Sequence, residues 1–595
     1  MPLAANTHQP RSVKQRRKPA PVAQPEWADL GDGVRVERGV YFTLRDGTRL
    51  VSDHYYPPNH PQGGPSPTLL VRQPYGRTIA TTVVCAQPIW FARHGYNVVV
   101  QDVRGRGESE GEFYPFRYEA GDGQETIDWI AQRPECNGRV GMYGFSYQGL
   151  TQLLAAAERP SALRCIVPAQ TAGDLYHGWF YHHGALRLAG TVGWAVQLLR
   201  ADARRLNDQQ PAHALEEAAL RLPNLFAQAP YAQIPELVNR KLPAYYCEWT
   251  GHRQYDDYWA ALDISRNFDR IEIPALHILG WYDSYLHGSA LLYDTLTSED
   301  ANPLGRDCQY LVAGPWQHIP WARQVGELDF GPEADYDTDS LLLRWFNHWL
   351  KDSGEFATEP KVRLFAMGEN RWHHASKWSA YRSHTSDQMT WYLHSGGRAN
   401  SSRGDGQLSV EQAESEPRDS WVDEPEVPVL SPGVQGAVGP FNQSKAEQLN
   451  NVVVYTSSPL STHLLISGAP TVVLYSTSSR SSADLVAKVL RVLPDGRTFP
   501  ISIGIARSSW LFPSGNFRPN TVIRWEFHLE PTCCTFAPGE RIRLDVTGSA
   551  FPLYDRNPGS DVPPHLAAPT DWCHNLRQLL HTREHPSHVL LPLHP

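Results

Sequence analysis

The chain has 595 residues, of which 41% are hydrophobic and 20% are charged, and it carries a formal net charge of −9. This length is too great for one hydrophobic core and predicts about three packing units. The acidic balance gives no general attraction to nucleic acid or to anionic membranes. No apolar run approaches the roughly 18 residues that a bilayer crossing requires. We therefore expect no nucleic-acid partner, no membrane anchor and a cytoplasmic location.

The basic segment at residues 14–18 lies in a polar, proline-bearing stretch, and we predict a disordered tail over residues 1–30. Arg16 and Arg17 resemble the start of a twin-arginine signal, but no apolar stretch follows, which argues against export. The 8 cysteines are scattered, with no Cys-x-x-Cys spacing, and there is no His-Glu-x-x-His motif. We accordingly predict no disulfide framework, no metal and no cofactor.

Short apolar stretches alternate with helical stretches over residues 31–173. Predicted strands at 68–72, 97–101, 139–143 and 163–167 surround a predicted helix at 119–131. This alternation is typical of a parallel sheet covered on both faces, and hence of an α/β fold. Residues 174–266 interrupt it with an Ala-, Leu- and Gln-rich segment that we interpret as a helical cap, and strands of the α/β core return over residues 267–384.

Residues 385–595 have a different pattern, with short runs rich in Val, Thr, Ser and Tyr that are separated by Gly and Pro. Predicted strands lie at 388–394, 469–476, 484–492, 522–529 and 541–547. Such spacing indicates an antiparallel sandwich.

The most informative motif is a serine flanked by glycines after the apolar stretch at 139–143. Gly144 precedes Ser146 by two positions, but Gln148 occupies the second position after it, and Gly149 comes one later. A nucleophile elbow needs small neighbours because the serine sits on a sharp strand-to-helix turn. The alternative is an ordinary turn in which the serine caps the next helix. The motif alone leaves the two interpretations open.

An acid and a histidine follow in the order that an α/β-hydrolase triad requires. Asp283 comes just after the apolar run 274–280, and His318 comes just after the run 308–313. Asp283 would orient His318, which would accept the proton of Ser146 during attack. His182 and His183 are the nearest competitors, but they precede the acid and lie in the predicted helical cap.

Eight segments, in the same order along the chain, resemble segments of the CocE/NonD hydrolases, the cocaine esterase-like relatives of the X-Pro dipeptidyl-peptidases. They are residues 71–76, 101–111, 144–149, 280–283, 314–318, 482–488, 538–544 and 551–557. The elbow of that family has its second glycine three positions after the serine, as here. The resemblance extends from about residue 35 to the C-terminus. It implies an α/β-hydrolase sheet with an inserted helical cap and a C-terminal jelly-roll domain.

The resemblance also implies the site residues. Ser146, Asp283 and His318 match the catalytic triad, and the oxyanion hole would combine the backbone N–H of Tyr147 with the hydroxyl of Tyr75. Two preorganised donors stabilise the charged tetrahedral intermediate more than the neutral carbonyl. Without the resemblance, Tyr75 is equally well interpreted as a structural tyrosine that bonds a loop carbonyl.

Aromatic residues of the cap and of the loop after Asp283 are candidates for an acyl-binding wall, although such residues more often form the core of a cap. The candidates are Trp179, Phe180, Trp194 and Tyr285. Relatives that bind a substrate α-amino group carry acidic residues where this chain has Gln148, Ser284 and Tyr285. This departure favours a neutral or aromatic acyl group.

The favoured function is hydrolysis of an ester or activated amide of a small molecule through an acyl-enzyme. The alternatives are an acyltransferase or an X-Pro-type dipeptidyl peptidase that uses the same triad. A third hypothesis is a non-catalytic binding protein, because a jelly roll alone says nothing about function. We expect the jelly roll to shield the rim of the active site and to help form a homodimer.

Overall fold

The computed structural model describes residues 26–61, 63–78, 84–354, 356–381, 387–431 and 439–593. Most of the predicted tail, residues 1–25, lies outside the described residues, as does the predicted domain boundary at 384/385. The last residues of that predicted tail are part of the fold, because Glu26–Asp29 form a strand that pairs antiparallel with Arg35–Thr43. The ring of Trp27 stacks 5.4 Å from that of Tyr56, and this contact anchors the strand.

The first two thirds of the described chain contain one large mixed sheet and two short hairpins. Their strands are β1 (Glu26–Asp29), β2 (Arg35–Thr43), β3 (Arg49–Tyr56), β4 (Ser66–Gln73), β5 (Asn97–Asp102), β6 (Cys136–Phe145), β7 (Leu163–Ala169), β8 (Tyr181–His182), β9 (Ala185–Leu186), β10 (Ala275–Tyr282), β11 (Gln309–Gln317), β12 (Gln324–Val325), β13 (Leu328–Asp329), β14 (Val362–Ala366) and β15 (Arg371–Ala375).

The large sheet has the strand order β1-β2-β3-β5-β4-β6-β7-β10-β11-β14-β15. Its central strands, from β5 to β14 in this order, run parallel to one another. These strands are almost entirely buried, as expected where helices cover both faces of a parallel sheet. The predicted α/β class is confirmed, and each of the four predicted strands corresponds to one of β4 to β7.

The α-helices connect these strands or form the cap, except for the last, which lies in the C-terminal region. They are α1 (Pro88–Arg93), α2 (Glu119–Ala131), α3 (Tyr147–Ala157), α4 (Leu188–Leu206), α5 (Gln209–Leu220), α6 (Leu222–Ala227), α7 (Tyr245–Gly251), α8 (Asp257–Ala260), α9 (Leu286–Leu296), α10 (Pro303–Arg306), α11 (Thr338–Lys351) and α12 (Ser508–Leu511). Helix α2 has the predicted bounds. Within the described chain, no helix is both long enough and apolar enough to cross a membrane.

The segment between β7 and β10 carries α4 to α8, which agrees with the expected helical cap. One part of it is not helical: β8 and β9 form a hairpin, and His182 and His183 lie in it rather than in a helix. The two residues of its turn, His183 and Gly184, have φ of 44° and 86°. Positive φ at both central residues is the signature of a tight hairpin turn that suits the twist of antiparallel strands.

The C-terminal region is rich in strands, as predicted. They are β16 (Gln388–His394), β17 (Gln407–Ser409), β18 (Asp419–Asp423), β19 (Val453–Ser457), β20 (Leu464–Gly468), β21 (Thr471–Ser478), β22 (Asp484–Val492), β23 (Thr498–Arg507), β24 (Ile523–His528), β25 (Thr532–Phe536), β26 (Arg541–Thr547), β27 (Asn575–Leu580) and β28 (His588–Pro592).

Ten of these strands follow the order β18-β27-β21-β28-β16-β17-β19-β26-β22-β23, with β24 on β21, and β20 pairs separately with β25. Neighbours are antiparallel except for β17 and β19, which are parallel. A parallel pair requires a long crossover, and the chain between these two strands runs from residue 410 to residue 452. The expected antiparallel sandwich therefore contains one parallel pair.

Candidate active site

The serine of the glycine-flanked motif sits on a strained turn between β6 and α3. Ser146 has φ 61° and ψ −127°, a conformation that is costly for a residue with a side chain and that clusters at functional sites. Its N–H donates to the carbonyl of Ala169 at the end of β7, 2.9 Å away. The side chain is thereby presented at the carboxyl edge of the parallel sheet, where a nucleophile elbow lies.

Both glycines of the motif are required by close approach. Gly144 has φ 135°, and a Cβ there would lie 2.5 Å from Oε1 of Gln148. A Cβ on Gly149 would lie 2.9 Å from the side chain of Thr171. The positions of the two glycines relative to Ser146 therefore reflect how closely α3 packs against β6 and the end of β7.

The acid and the histidine each follow a parallel strand directly. Asp283 comes after β10, His318 comes after β11, and the Nδ1 of His318 lies 2.7 Å from Oδ1 of Asp283. The acid is fully buried, whereas the imidazole is 26% exposed. A carboxylate on Nδ1 fixes the ring and leaves Nε2 as the acceptor. The ring lies 5.4 Å from that of Phe145, the residue before Ser146.

Gln170 holds the histidine loop, a role that sequence reasoning missed. It follows β7, and its Nε2 donates to the carbonyl of Gln317 at 3.2 Å. Its Oε1 accepts from Nε1 of Trp321 at 2.9 Å. The available signal was a polar residue directly after a buried strand, which is the same signal that identified Asp283 and His318.

The competing histidines are unsuited to act as a base. In the cap His182 is buried and His183 is half-buried, and their Nδ1 atoms are bonded to the hydroxyl of Tyr554 and the carbonyl of Ile505. Burial lowers the pKa of His183 to about 3 and holds that of His182 well below its usual value. Both histidines thus connect the cap to the C-terminal region and have a structural role.

Tyr75 lies on the loop after β4, and Trp194 of α4 bonds to it. Nε1 of Trp194 donates to the Tyr75 hydroxyl at 3.2 Å. Because the indole N–H is only a donor, the phenol proton remains available to another acceptor. Burial raises the pKa of Tyr75 to about 12, which keeps the phenol protonated at neutral pH.

Tyr147 is the first residue of α3, so its N–H has no acceptor within the helix. Its side chain points into the core instead. The hydroxyl donates to Oε1 of Glu119 at 2.8 Å and accepts from the N–H of Phe116 at 3.0 Å. Glu119 is in turn paired with the buried Arg72 at 2.9 Å. This buried network fixes the turn that carries Ser146.

A cavity of about 70 Å³ lies next to His318, between the sheet edge, the cap and the C-terminal region. The predicted wall residues Trp179 and Tyr285 line it, and their rings stack at 4.1 Å. The complete lining is Trp179, Arg187, Gly190, Thr191, Ser284, Tyr285, His318 and Leu553. Arg187 and Thr191 had no signal in the sequence, whereas Leu553 lies in one of the family-like segments.

Two predicted wall residues belong elsewhere. Phe180 is fully buried and packs 4.7 Å from Trp249 and 5.2 Å from Trp259 in the core of the cap. Trp194 stacks on Trp249 at 5.0 Å and bonds to Tyr75 instead of lining this cavity. At helical spacing the aromatic side chains mostly pack against one another, which is the commoner outcome for such residues.

Gln148 also lies away from the cavity. It is buried in α3, and its Nε2 donates to Oε1 of Gln73 at 3.1 Å. Gln73 then donates to the carbonyl of Gly76, which follows Tyr75. The absence of an acidic side chain at position 148 therefore affects the support of the Tyr75 loop rather than the wall of this cavity.

The comparisons with known proteins agree with this architecture. Residues 46–320 match the family model of the X-Pro dipeptidyl-peptidases (S15 family), and residues 354–590 match that of the X-Pro dipeptidyl-peptidase C-terminal non-catalytic domain. A cocaine esterase from Rhodococcus sp. (strain MB1 Bresler) is 31% identical over 584 residues, which cover 94% of this chain and 98% of that protein.

Two solved structures have the same fold over nearly the whole chain. An α-amino acid ester hydrolase is 25% identical with a TM-score of 0.78, covering 98% of this chain and 100% of the other. A CocE/NonD family hydrolase from Staphylococcus aureus has a TM-score of 0.65 at 17% identity, covering 94% of each chain. With the full-length match to the cocaine esterase, these findings establish that the chain belongs to the CocE/NonD family and is a serine carboxylic-ester hydrolase.

Proposed function

We propose that Ser146, His318 and Asp283 form the catalytic triad of this esterase and that cleavage proceeds through an acyl-enzyme. The observation that supports this most strongly is the 2.7 Å hydrogen bond between His318 and the buried Asp283. Both residues directly follow neighbouring parallel strands, and the His318 ring packs against the residue before the strained Ser146. The order and the strand-end positions are those of an α/β-hydrolase triad.

The reaction has two halves. Oγ of Ser146 attacks the ester carbonyl carbon while Nε2 of His318 takes the hydroxyl proton. The tetrahedral intermediate collapses, the bond to the alcohol oxygen breaks, and His318 returns the proton to that leaving oxygen. A water molecule then attacks the acyl-enzyme by the same route, releasing the carboxylic acid and restoring Ser146. Asp283 stays ionised and stabilises the imidazolium that forms twice in the cycle.

The oxyanion of each intermediate would be bound by the N–H of Tyr147 and the hydroxyl of Tyr75. The first is supported by its place at the start of α3, where no helical carbonyl can accept it. The second is supported by the donation from Trp194, which orients the phenol oxygen and leaves its proton free. Two such donors act on charge that develops only during reaction, which is where a hydrogen bond accelerates chemistry.

We further propose a neutral or aromatic acyl group. The stacked rings of Trp179 and Tyr285 form an apolar wall beside His318. Ser284 and Tyr285, rather than carboxylates, follow Asp283, so this wall offers no counter-charge to an α-amino group. X-Pro-type peptide cleavage is the second candidate, because both matching family models carry that name.

The decisive experiment combines active-site labelling with a substrate panel. A fluorophosphonate probe should label Ser146, located by peptide mass spectrometry, and Ser146→Ala should abolish both labelling and ester hydrolysis. Ser340→Ala, outside the site, serves as the matched control. Hydrolysis of p-nitrophenyl esters by the Ser146→Ala variant at the wild-type rate would exclude the triad.

A panel of esters, aryl amides and X-Pro peptides then separates the two candidates. Faster turnover of X-Pro peptides than of esters would favour the peptidase. Rate enhancement by added alcohols or amines, with acylated product, would identify an acyltransferase.

A further inference from the structure

The first turn of α4 faces the cavity beside His318 with polar groups that the esterase mechanism does not use. Arg187, Gly190 and Thr191 all line this cavity. Arg187 is the residue before the helix, and Thr191 lies four positions later, so the two occupy one side of the first turn. Their cavity is the one that contains Tyr285 and His318, which brings this turn within reach of a bound ester.

Donors in this turn are buried without a partner. Nε and Nη1 of Arg187 and Oγ1 of Thr191 have no hydrogen-bond partner among the described residues. Arg187 and Thr191 are each only 3% exposed. A buried donor with no acceptor destabilises the folded state, and native proteins rarely contain one without a reason. An acceptor atom entering the cavity would remove this destabilisation.

The cavity also has room for such an atom at the helix. Gly190 is exposed, and a Cβ built on it would have no heavy atom within 4 Å other than its chain neighbours and the backbone of its own helix. The two preceding amides, of Leu188 and Ala189, are already bonded to the carbonyls of Leu553 and Pro552. The C-terminal region therefore closes the helix end on one side and leaves the side of Gly190 and Thr191 open to the cavity.

The charges around this turn favour a neutral acceptor. Nη2 of Arg187 is paired with Oε1 of Glu530 at 3.0 Å, and both side chains are 4% exposed, so the guanidinium charge is already balanced. The adjacent histidines His182 and His287 are uncharged at neutral pH, because burial holds the pKa of each well below its usual value. A carboxylate here would add a negative charge near Asp283 with no cation left to balance it.

The geometry of the guanidinium supports the same choice. A carboxylate binds best to two donors on one edge of the fork. Each edge of the fork includes Nη2, which is bonded to Glu530, so the free Nε and Nη1 of Arg187 do not share an edge. Each can serve a single oxygen.

We propose that the first turn of α4, through Arg187 and Thr191, binds a neutral carbonyl oxygen of the substrate other than the scissile one. This inference rests on the proposed esterase site and specifies its substrate class. The preferred substrates would be esters that carry a second carbonyl group, such as a ketone, amide or further ester, a few bonds from the cleaved one.

The test compares matched p-nitrophenyl esters. p-Nitrophenyl 4-oxopentanoate has the remote carbonyl, p-nitrophenyl pentanoate lacks it, and the p-nitrophenyl monoester of succinic acid places a carboxylate there. We expect the wild type to show a kcat/KM about five- to tenfold higher for the keto ester than for the pentanoate, the effect of one or two net hydrogen bonds. A second pair of esters, with and without a ketone in the alcohol part, tests whether the turn binds a carbonyl group on the alcohol side of the cleaved bond.

Thr191→Val removes one donor while keeping the shape of the side chain, and Thr191→Ser restores the hydroxyl. The keto-to-pentanoate ratio of kcat/KM should fall several-fold in Thr191→Val and recover in Thr191→Ser. Arg187→Lys, which keeps a charge for Glu530, should lower the same ratio. Thermal melting of each variant identifies any loss of folding.

Ratios near one in both substrate pairs, or ratios unaffected by Thr191→Val, would overturn the inference. A clear preference for the succinate monoester would also overturn it, in favour of an anion site. These results are distinct from failure of the proposed triad, in which Ser146 would not be labelled by a fluorophosphonate and no ester in the panel would be cleaved at that serine.

Discussion

The α/β core and the C-terminal region border the same cavity but contribute different kinds of residue. The core contributes His318 and Ser284, which follow parallel strands, and Asp283 lies directly behind them. The C-terminal region contributes the apolar Leu553 and, behind Arg187, the buried Glu530. The groups to which we assign proton transfer follow parallel strands, whereas the strand-rich region contributes an apolar side chain and a buried carboxylate.

The C-terminal region also holds the cap in place. Asp555 accepts hydrogen bonds from the N–H of Leu186 and the hydroxyl of Tyr231, both at 2.8 Å. Arg507 joins Asp555 to Asp484 through ion pairs of 2.9 and 2.7 Å, all within the buried interior. Since α4 begins next to this contact, the C-terminal region positions the turn that carries Arg187. We therefore assign the chemistry to the core and the support of the site to the C-terminal region, and four predictions test this division.

Asp283→Asn should give the largest effect on activity. An amide beside Nδ1 favours the wrong tautomer of His318, and we expect kcat to fall by about 10⁴-fold. The measurement is p-nitrophenyl ester hydrolysis at neutral pH, with the exposed Asp329→Asn as the control. A loss of less than tenfold would show that Asp283 does not orient the base.

Arg507→Leu tests the support role. It leaves the carboxylates of Asp484 and Asp555 buried without their cation, and breaking such a network costs about 3–5 kcal/mol of stability. We expect a large fall in the urea unfolding midpoint. Arg497→Leu, which removes an ion pair whose side chains are 50% and 53% exposed, should have almost no effect. Equal midpoints for the two variants would contradict the anchoring role.

Tyr75→Phe separates catalysis from binding within the core. Losing one oxyanion donor should lower kcat by about 10²- to 10³-fold while KM changes less, because the bond strengthens only in the transition state. Steady-state kinetics on one p-nitrophenyl ester provide the measurement. Trp194→Phe, which removes the indole donor to Tyr75, should lower kcat by a smaller factor. An unchanged kcat in Tyr75→Phe would remove the phenol from the mechanism.

One buried group in each region should make stability depend on pH, and the two dependences run in opposite directions. Burial lowers the pKa of His277, on β10, to about 4, so the unfolded chain binds this proton first and stability is lost as pH falls from about 6.5 to about 4. Burial raises the pKa of Asp545, on β26, to about 7, so its cost to the folded state grows as pH rises from about 4 to about 7.

Each contribution is on the order of 1–3 kcal/mol, and unfolding in urea at pH 5 and pH 7 measures it. His277→Gln should reduce the loss of stability at pH 5 relative to pH 7. Asp545→Asn should be more favourable at pH 7 than at pH 5, whatever it costs by leaving Lys488 without its partner at 3.7 Å. If the free energy of unfolding changed with pH equally in both variants and in the wild type, neither His277 nor Asp545 would be responsible for the pH dependence.

The local pattern of the sequence determined the secondary structure and the approximate place of the site. Apolar runs that suit a sheet buried on both faces predicted β4 to β7. The glycines at 144 and 149 predicted the elbow only together with the strand before them and the acid and histidine after them. Asp283 and His318 could be found because residues that follow parallel strands meet at one edge, whatever their separation along the chain. The functions of these residues remain proposals that the experiments above test.

Only the tertiary structure decided which aromatic side chains reach the cavity. Trp179 and Phe180 are adjacent in the sequence, yet one lines the cavity and the other is enclosed by Trp249 and Trp259. The pairing of Arg187 with Glu530, more than three hundred residues away, likewise had no local signal. Helical and strand periods are set by the backbone over a few residues, whereas burial and charge pairing depend on which distant surfaces come together.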